Sequence, residues 1–390
     1  MLLFDGLKAQ APDALLALIG LFAADPRSDK IDLGVGVYRD ETGGTPVFRA
    51  VKAAEARLVE TQSSKSYLGP EGDVRFTELL QPIVFGGSVD PTTLVGVQTP
   101  GGTGALRLAA ELIAAAKPQT KVWLGTPTWP NHAPIFSAAG LMLATYRYFD
   151  QAAQAIRFDE MMDALDGADA GDVVLLHGCC HNPTGANLTP PQWTEIAGVV
   201  ARRGLVPLVD LAYQGLGGGL EEDAAGLRQV MDAAGDVIIA YSCDKNFGLY
   251  RDRVGALYVR ARQKARADLV LSNMLALARP NWSMPPDHGA AVVRAILESA
   301  ELTAEWRDEL TSMRNRIHAV RLALAAGDSN LLAPIAKQQG MFSLLPISAE
   351  QVGTLRKQHG IYMAGSGRAN LAGLTLQTVP KFIEALKAVR

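Results

Sequence analysis

The chain has 390 residues, with 37 Lys and Arg against 40 Asp and Glu for a formal net charge of −3, and 48% of it is hydrophobic. That length holds two domains, or one large α/β domain with a lesser one, and the near balance of charge gives no electrostatic case for a nucleic-acid or acidic-membrane partner. No apolar run approaches the ~20 residues of a membrane span, and Met1 to Gln10 lack the basic region and apolar core of an export signal. Three cysteines, two of them adjacent at 179 and 180, make no disulfide framework and read as a reducing, cytoplasmic compartment.

Pro12 and Asp13 suit a helix start, with Leu15, Leu16, Leu18, Ile19 and Phe22 as its apolar face. Ile31 to Tyr38 is a short strand entering a loop. Gly34 and Gly36 would let backbone approach a ligand there, and a plain turn explains the same residues. Ala50 to Arg57 reads as a helix, and Tyr67 heads a Gly- and Pro-bearing loop in which an aromatic alone reads as packing. Val95 to Pro100 is a strand running into Gly101-Gly-Thr-Gly-Ala-Leu-Arg107 and a helix. Glycines at a helix start expose N–H groups beside the positive end of the helix dipole, which together cradle a phosphate. Their spacing is neither that of a Walker loop nor that of a dinucleotide fingerprint.

Val122 to Leu124 precedes Pro127-Thr-Trp129-Pro-Asn-His132, where Trp129 is either a stacking plate for a planar ring or a core residue at a strand end. Asp172 to Leu176 leads into His177-Gly-Cys-Cys-His-Asn-Pro-Thr-Gly185. Two His and two Cys invite a metal. Adjacent residues of an extended chain point to opposite sides, however, so Cys179, Cys180 and His181 are not expected to converge and no metal is expected. Asp210 ends the apolar run beginning at Leu205, where open α/β sheets place ligand groups, and Asp is equally a good helix N-cap. Val237 to Ala240 delivers Lys245, and Arg253 follows eight residues later before the run Val254 to Val259. Such a pair reads either as surface charge or as an amine of lowered pKa beside a fork for an anion. Glu301 to Ala325 is helical, Gln339 to Ser343 opens a further unit, and Arg368 lies in a Gly/Ser loop. Helices alternating with short apolar strands over roughly residues 90 to 260 argue an open α/β sheet.

Read together, Tyr241 to Gly255 resembles the lysine motif of the class I aminotransferases, pyridoxal-phosphate enzymes of fold type I. Ser242, Lys245, Asn246 to Tyr250, Arg253 and Gly255 match it. His181-Asn-Pro-Thr-Gly185 is a second specific family string, and the resemblance covers nearly the whole chain with its motifs in family order. One position departs: the family carries a small residue, often Ser, before the lysine, and this chain has Asp244. A carboxylate there either faces the cofactor phosphate and weakens its binding, or turns aside to pair with Arg251 or Arg253.

The resemblance implies a mostly parallel central sheet flanked by helices, with residues 46–312 as a large cofactor domain. Residues 13–45 and 313–390 would form a small α/β domain, and residues 1–12 an arm. It implies pyridoxal 5'-phosphate on Lys245, with the phosphate held by Gly101, Gly102, Thr103, Ser242 and Arg253. Tyr67 would reach the phosphate across a homodimer interface. Trp129 would stack on the ring, Asn182 and Tyr213 would meet the ring oxygen, and Asp210 the ring nitrogen, with His132 and His177 orienting Asp210. Gly36, Trp129 and Asn182 would line the substrate site. Arg368 would grip the α-carboxylate, and Arg279, in a loop before a long helix, would cross the interface to a side-chain carboxylate. Lys245, Asp210 and Tyr213 are the expected catalytic groups. The implied activity is ping-pong transamination between an aromatic or dicarboxylic amino acid and 2-oxoglutarate or oxaloacetate. A strict aspartate aminotransferase is the first alternative, and a lyase or a non-catalytic cofactor binder the more distant ones.

Overall fold

A computed structural model describes residues 2–9, 14–87 and 89–390. The expected helix start at Pro12 and Asp13 therefore lies outside the described residues, and the first helix runs Ala14–Ala24. Leu18 on it is buried but Ile19 is exposed, so the expected apolar face turns only partly inward.

Seven strands form the central sheet: β1 Leu94–Pro100, β2 Lys121–Thr126, β3 Met142–Arg147, β4 Val173–His177, β5 Val206–Leu211, β6 Val237–Ser242 and β7 Val254–Arg260. Their order across the sheet is β1-β7-β6-β5-β4-β2-β3, and β7 alone runs against the rest. β6 is buried along its whole length, and β4 along all but its last residue. Near-continuous apolar strands of this kind follow from helices covering both faces of a parallel sheet. On one face lies α1, Gly101–Ala116, whose Leu106, Ala109 and Ile113 pack with Leu124, Leu175 and Ile238. On the other, Trp193, Ile196, Leu227 and Val230 pack against Val174, Val209 and Ile239.

A third apolar core gathers Ile31 and Leu33 with Val320, Leu324, Leu355, Ile361 and Phe382. Two short strand pairs frame it: Ile31↔Ile361 in parallel, and Phe342–Leu344 antiparallel to Arg368–Asn370. The helix Ala300–Gly327 joins the cores, giving Trp306 and Leu310 to the large one and Val320 and Leu324 to the third.

The expected loop around Arg279 is helical instead. Lys264–Trp282 is one helix, and Arg279 sits in its last turn. Met274 and Ala278, four residues apart, are both buried and carry the helix past Pro280. A proline so near the C-terminus removes one backbone bond without breaking the turns before it.

Candidate active site

The sheet register brings the chemistry to one edge. His177 pairs with Asp210 across β4 and β5, Leu211 with Tyr241 across β5 and β6, Ser242 with Gly255 across β6 and β7, and Val254 with Pro100 across β7 and β1. The C-terminal ends of β4, β5, β6 and β1 therefore meet the start of the reversed strand β7. That is where open α/β sheets hold ligands. A cavity of about 260 Å³ lies there, and Lys245, Asp210, Tyr213, Asn182, Trp129 and Arg368 all line it. Gly36, Gly102, Thr103, Ser242, His177 and Arg253 line it as well.

Lys245 follows a turn pinned from behind. Phe247 stacks on Trp306 with ring centroids 4.4 Å apart, the Trp306 Nε1–H donates to the Asn246 carbonyl at 2.7 Å, and Asn246 Nδ2 donates to the Tyr241 hydroxyl at 2.9 Å. Lys245 Nζ lies 5.4 Å from the centre of the Tyr213 ring and 3.9 Å from Asp244 Oδ2. Burial pulls its amine below the ordinary lysine range and Arg253 adds to this, while the charges of Asp244 and Asp210 oppose it.

Asp210 is buried, and its Oδ2 meets His132 Nε2 at 3.0 Å. His132 Nδ1 meets the Thr128 hydroxyl at 2.8 Å, which in turn meets His177 Nε2 at 2.9 Å. His132 thus touches Asp210 directly, and His177 acts through Thr128. Burial works against the Asp210 charge, but the His132 hydrogen bond and nearby positive charge outweigh it and hold the carboxyl below its usual range. Burial drops His177 to about 3, so it is neutral at ordinary pH. The Asn182 amide donates to the Tyr213 hydroxyl at 3.3 Å, and burial pushes that phenol well above its ordinary value.

The anion end is built on α1. Its N-cap, Pro100, supplies no side-chain bond to the first turn, so those N–H groups remain for a ligand. A Cβ added at Gly101 would stand 2.5 Å from Arg253 Nη2, and one at Gly102 would stand 3.0 Å from Ser242 Cβ. Only glycine lets the guanidinium and the hydroxyl close on the helix start. Arg253 holds a positive φ of 55°, a conformation that costs an L residue about 1 kcal/mol or more and that surrounding structure must enforce. Asp244 forms a close ion pair with Arg253 Nη1, as in the second expected arrangement, yet it stays in the lining of the cavity, as in the first.

The donor set fits a phosphorylated pyridine aldehyde: a helix start with Arg253 and Ser242 for the phosphate, a buried amine, and a buried carboxylate for a ring nitrogen. Asn182 lines the cavity with its amide N–H beside the Tyr213 hydroxyl, and its Oδ1 is buried without a hydrogen-bond partner. Arg368 is buried, lays its guanidinium 4.9 Å from the centre of the Phe342 ring and donates to the Gly34 carbonyl at 2.9 Å. The Asn370 amide donates to the carbonyls of Val35 and Val37 at 2.6 and 2.7 Å, holding the Gly36 loop over the cavity.

Two expected residues stay outside. Tyr67 is 92% exposed, and Arg279 is exposed with Nη1 donating to the Ser283 hydroxyl. Neither lines the cavity of a single chain. Thr128 and Phe342 were not anticipated. Thr128 lies inside the Trp129 segment, but its role as a bridge joins histidines 45 residues apart, which no local spacing reveals. The expected divergence of Cys179 and Cys180 fails too. Cys180 takes a positive φ of 49°, and both sulfurs lie within 4.8 Å of each other and of an Asp223 oxygen. Asp223 accepts backbone N–H bonds from Gly215, Gly217 and Gly218, and burial raises both thiols.

A sheet edge that gathers one lysine, a buried acid and two ligand-facing arginines defines a cofactor-assisted amine-handling enzyme. Residues 28–386 match the family described as aminotransferase class I and II. The tyrosine aminotransferase of Rhizobium meliloti (strain 1021) is 57% identical over 95% of this chain and 96% of its own length. The aspartate aminotransferase of Escherichia coli (strain K12) is 44% identical over 99% of this chain and all of its own length. Among solved structures, the aromatic-amino-acid aminotransferase of Burkholderia pseudomallei covalently bound to pyridoxal phosphate superposes with a TM-score of 0.95 at 39% identity, covering 100% of both chains. The chain belongs to the class I and II aminotransferases, and the class I family depends on pyridoxal phosphate.

Proposed function

We propose that this chain exchanges amino groups between aromatic or dicarboxylic amino acids and 2-oxo acids such as 2-oxoglutarate or oxaloacetate. The observation that carries this reading is the single cavity shared by Lys245, Asp210 and Arg368. Bound there, pyridoxal 5'-phosphate supplies an electron-withdrawing ring and an aldehyde carbon that receives the amino group. Gly101, Gly102, Thr103, Ser242 and Arg253 would hold its phosphate, and Trp129 would cover its ring. Asn182 and Tyr213 would meet the ring oxygen. Asp210, kept ionised through His132, would stabilise a proton on the ring nitrogen. Arg368 orients the substrate through its α-carboxylate by a two-pronged bond. The Lys245 amine, whose proton affinity burial has lowered, takes the proton from the substrate Cα.

The likeness to the tyrosine aminotransferase supports acceptance of aromatic side chains. The strict aspartate reading draws on Arg279. The test is kcat/KM for phenylalanine, tyrosine and aspartate with 2-oxoglutarate as acceptor. Turnover of all three is expected, whereas turnover of aspartate alone would replace the reading by strict aspartate specificity.

A homodimer belongs to the same reading. Tyr67 and Arg279 await a second copy, and Leu2, Leu3, Phe4 and Leu7 of the arm are all exposed. Sedimentation equilibrium at the mass of one chain would contradict it. The division into residues 46–312 and residues 13–45 with 313–390 belongs to the same reading, and the separate apolar core around Leu33 and Leu355 supports it. A cytoplasmic setting is consistent with three buried cysteines that form no disulfide. No helix among the described residues is long and apolar enough to cross a membrane.

A further inference from the structure

The residue before the lysine stands in the anion cup itself. Asp244 lines the same cavity as Ser242, Thr103 and Arg253, and its side chain is only 5% exposed. One carboxylate oxygen pairs with Arg253 Nη1 and lies 3.9 Å from Lys245 Nζ. The other, Oδ1, is buried with no hydrogen-bond partner. The backbone N–H of Asp244 donates to the Ser242 hydroxyl at 3.2 Å, which ties the residue's backbone to a second group of the cup. The same Nη1 also donates to the Tyr250 carbonyl at 3.1 Å, while Nη2 lies beside the helix start at Gly101. With Nη1 shared between two oxygens of the protein, only the remaining guanidinium N–H groups are left for an arriving anion. A phosphate entering the cup meets an arginine already neutralised and a buried negative charge beside it, and like charges in one site oppose each other.

We propose that Asp244 competes with the cofactor phosphate for Arg253, so that this chain holds pyridoxal phosphate less tightly than it would with a neutral residue at 244. The inference rests on the cofactor reading above and concerns the phosphate alone. Its consequence is an enzyme whose cofactor occupancy follows the free cofactor concentration, with loading and loss of cofactor acting as a control on activity.

The test uses the full-length protein freed of cofactor, with Asp244→Asn as the isosteric neutral variant and Asp244→Ser as a second should the first not fold. Dissociation constants are measured by absorbance and tryptophan fluorescence for pyridoxal phosphate and, separately, for pyridoxal, which lacks the phosphate. A neutral residue at 244 should tighten pyridoxal phosphate by about tenfold, the size of one well-placed charge effect, and leave pyridoxal unchanged. Unchanged or weaker binding of pyridoxal phosphate, or an equal gain for both ligands, overturns the inference while the cofactor reading stands. Absence of pyridoxal phosphate binding in every form, wild type included, overturns both.

Discussion

Asp210 and Asp244 are both buried carboxylates near the Lys245 amine, at the ends of neighbouring strands, yet their surroundings differ. Asp210 is hydrogen-bonded to His132, which is held by Thr128 and through it by His177, so its hydrogen bonding is continued into the core. Asp244 shares one oxygen with Arg253 and leaves the other without a partner. A buried charge whose donor is itself fixed by further hydrogen bonds is a stable fixture, and one with a buried oxygen left unpartnered is a charge waiting for something to change. The first suits a group that must stay ionised through a reaction cycle. The second suits a group whose environment differs between the cofactor-free and loaded protein.

The comparison breaks most severely at the amine between the two acids. Lys245→Ala removes the group that moves the Cα proton, and single-turnover transamination should slow by roughly 10²–10⁴-fold or more; a loss below tenfold would assign the proton to another residue. Asp210→Asn keeps the shape and removes the charge. Steady-state kcat should fall by about 10²–10³-fold, as for loss of one preorganised electrostatic partner, with the structure otherwise intact by circular dichroism. Arg368→Lys retains the charge and loses the fork, so KM should rise about tenfold for phenylalanine and aspartate alike. A rise confined to one substrate would show that Arg368 reads the side chain instead.

The smallest effect concerns the far end of the Asp210 chain. His177 has a folded value of about 3 against an ordinary 6.5. Between those pH values the unfolded chain binds a proton that the folded chain refuses, so stability falls as pH drops through that window. The slope is at most about 1.4 kcal/mol per pH unit. His177→Gln removes this penalty, and urea unfolding at a series of pH values should show a shallower acid loss for the variant below pH about 6.5. Equal slopes would mean that His177 is protonated in the folded state.

Much of this was legible in the chain. The runs at Val95, Val122, Asp172, Leu205, Val237 and Val254 are all strands of one sheet, because strands buried on both faces must be apolar throughout and so announce themselves. Lys245, Asp210, Asn182 and Arg368 were legible through motif wording, and the cavity gathers them. Thr128 was not, since a bridging hydroxyl is set by how β2 and β4 lie side by side rather than by neighbours in sequence. The loop around Arg279 was expected from the resemblance alone, and the helix runs on because Pro280 falls in its last turn, where the missing N–H costs little. The turn of the two cysteines toward one another depends on the backbone of Cys180, and an extended-chain reading has no access to it. For Asp244 the residue was visible and the choice of partner was not, because Arg251 and Arg253 both follow it closely in sequence.

The most direct measurement is the near-ultraviolet and visible absorbance spectrum of the protein saturated with pyridoxal phosphate, taken before and after phenylalanine and, in a fresh sample, aspartate. A visible band of bound cofactor that gives way to the pyridoxamine form with each amino acid is the predicted result. A bound-cofactor band that neither amino acid changes would contradict transamination of these substrates at this site.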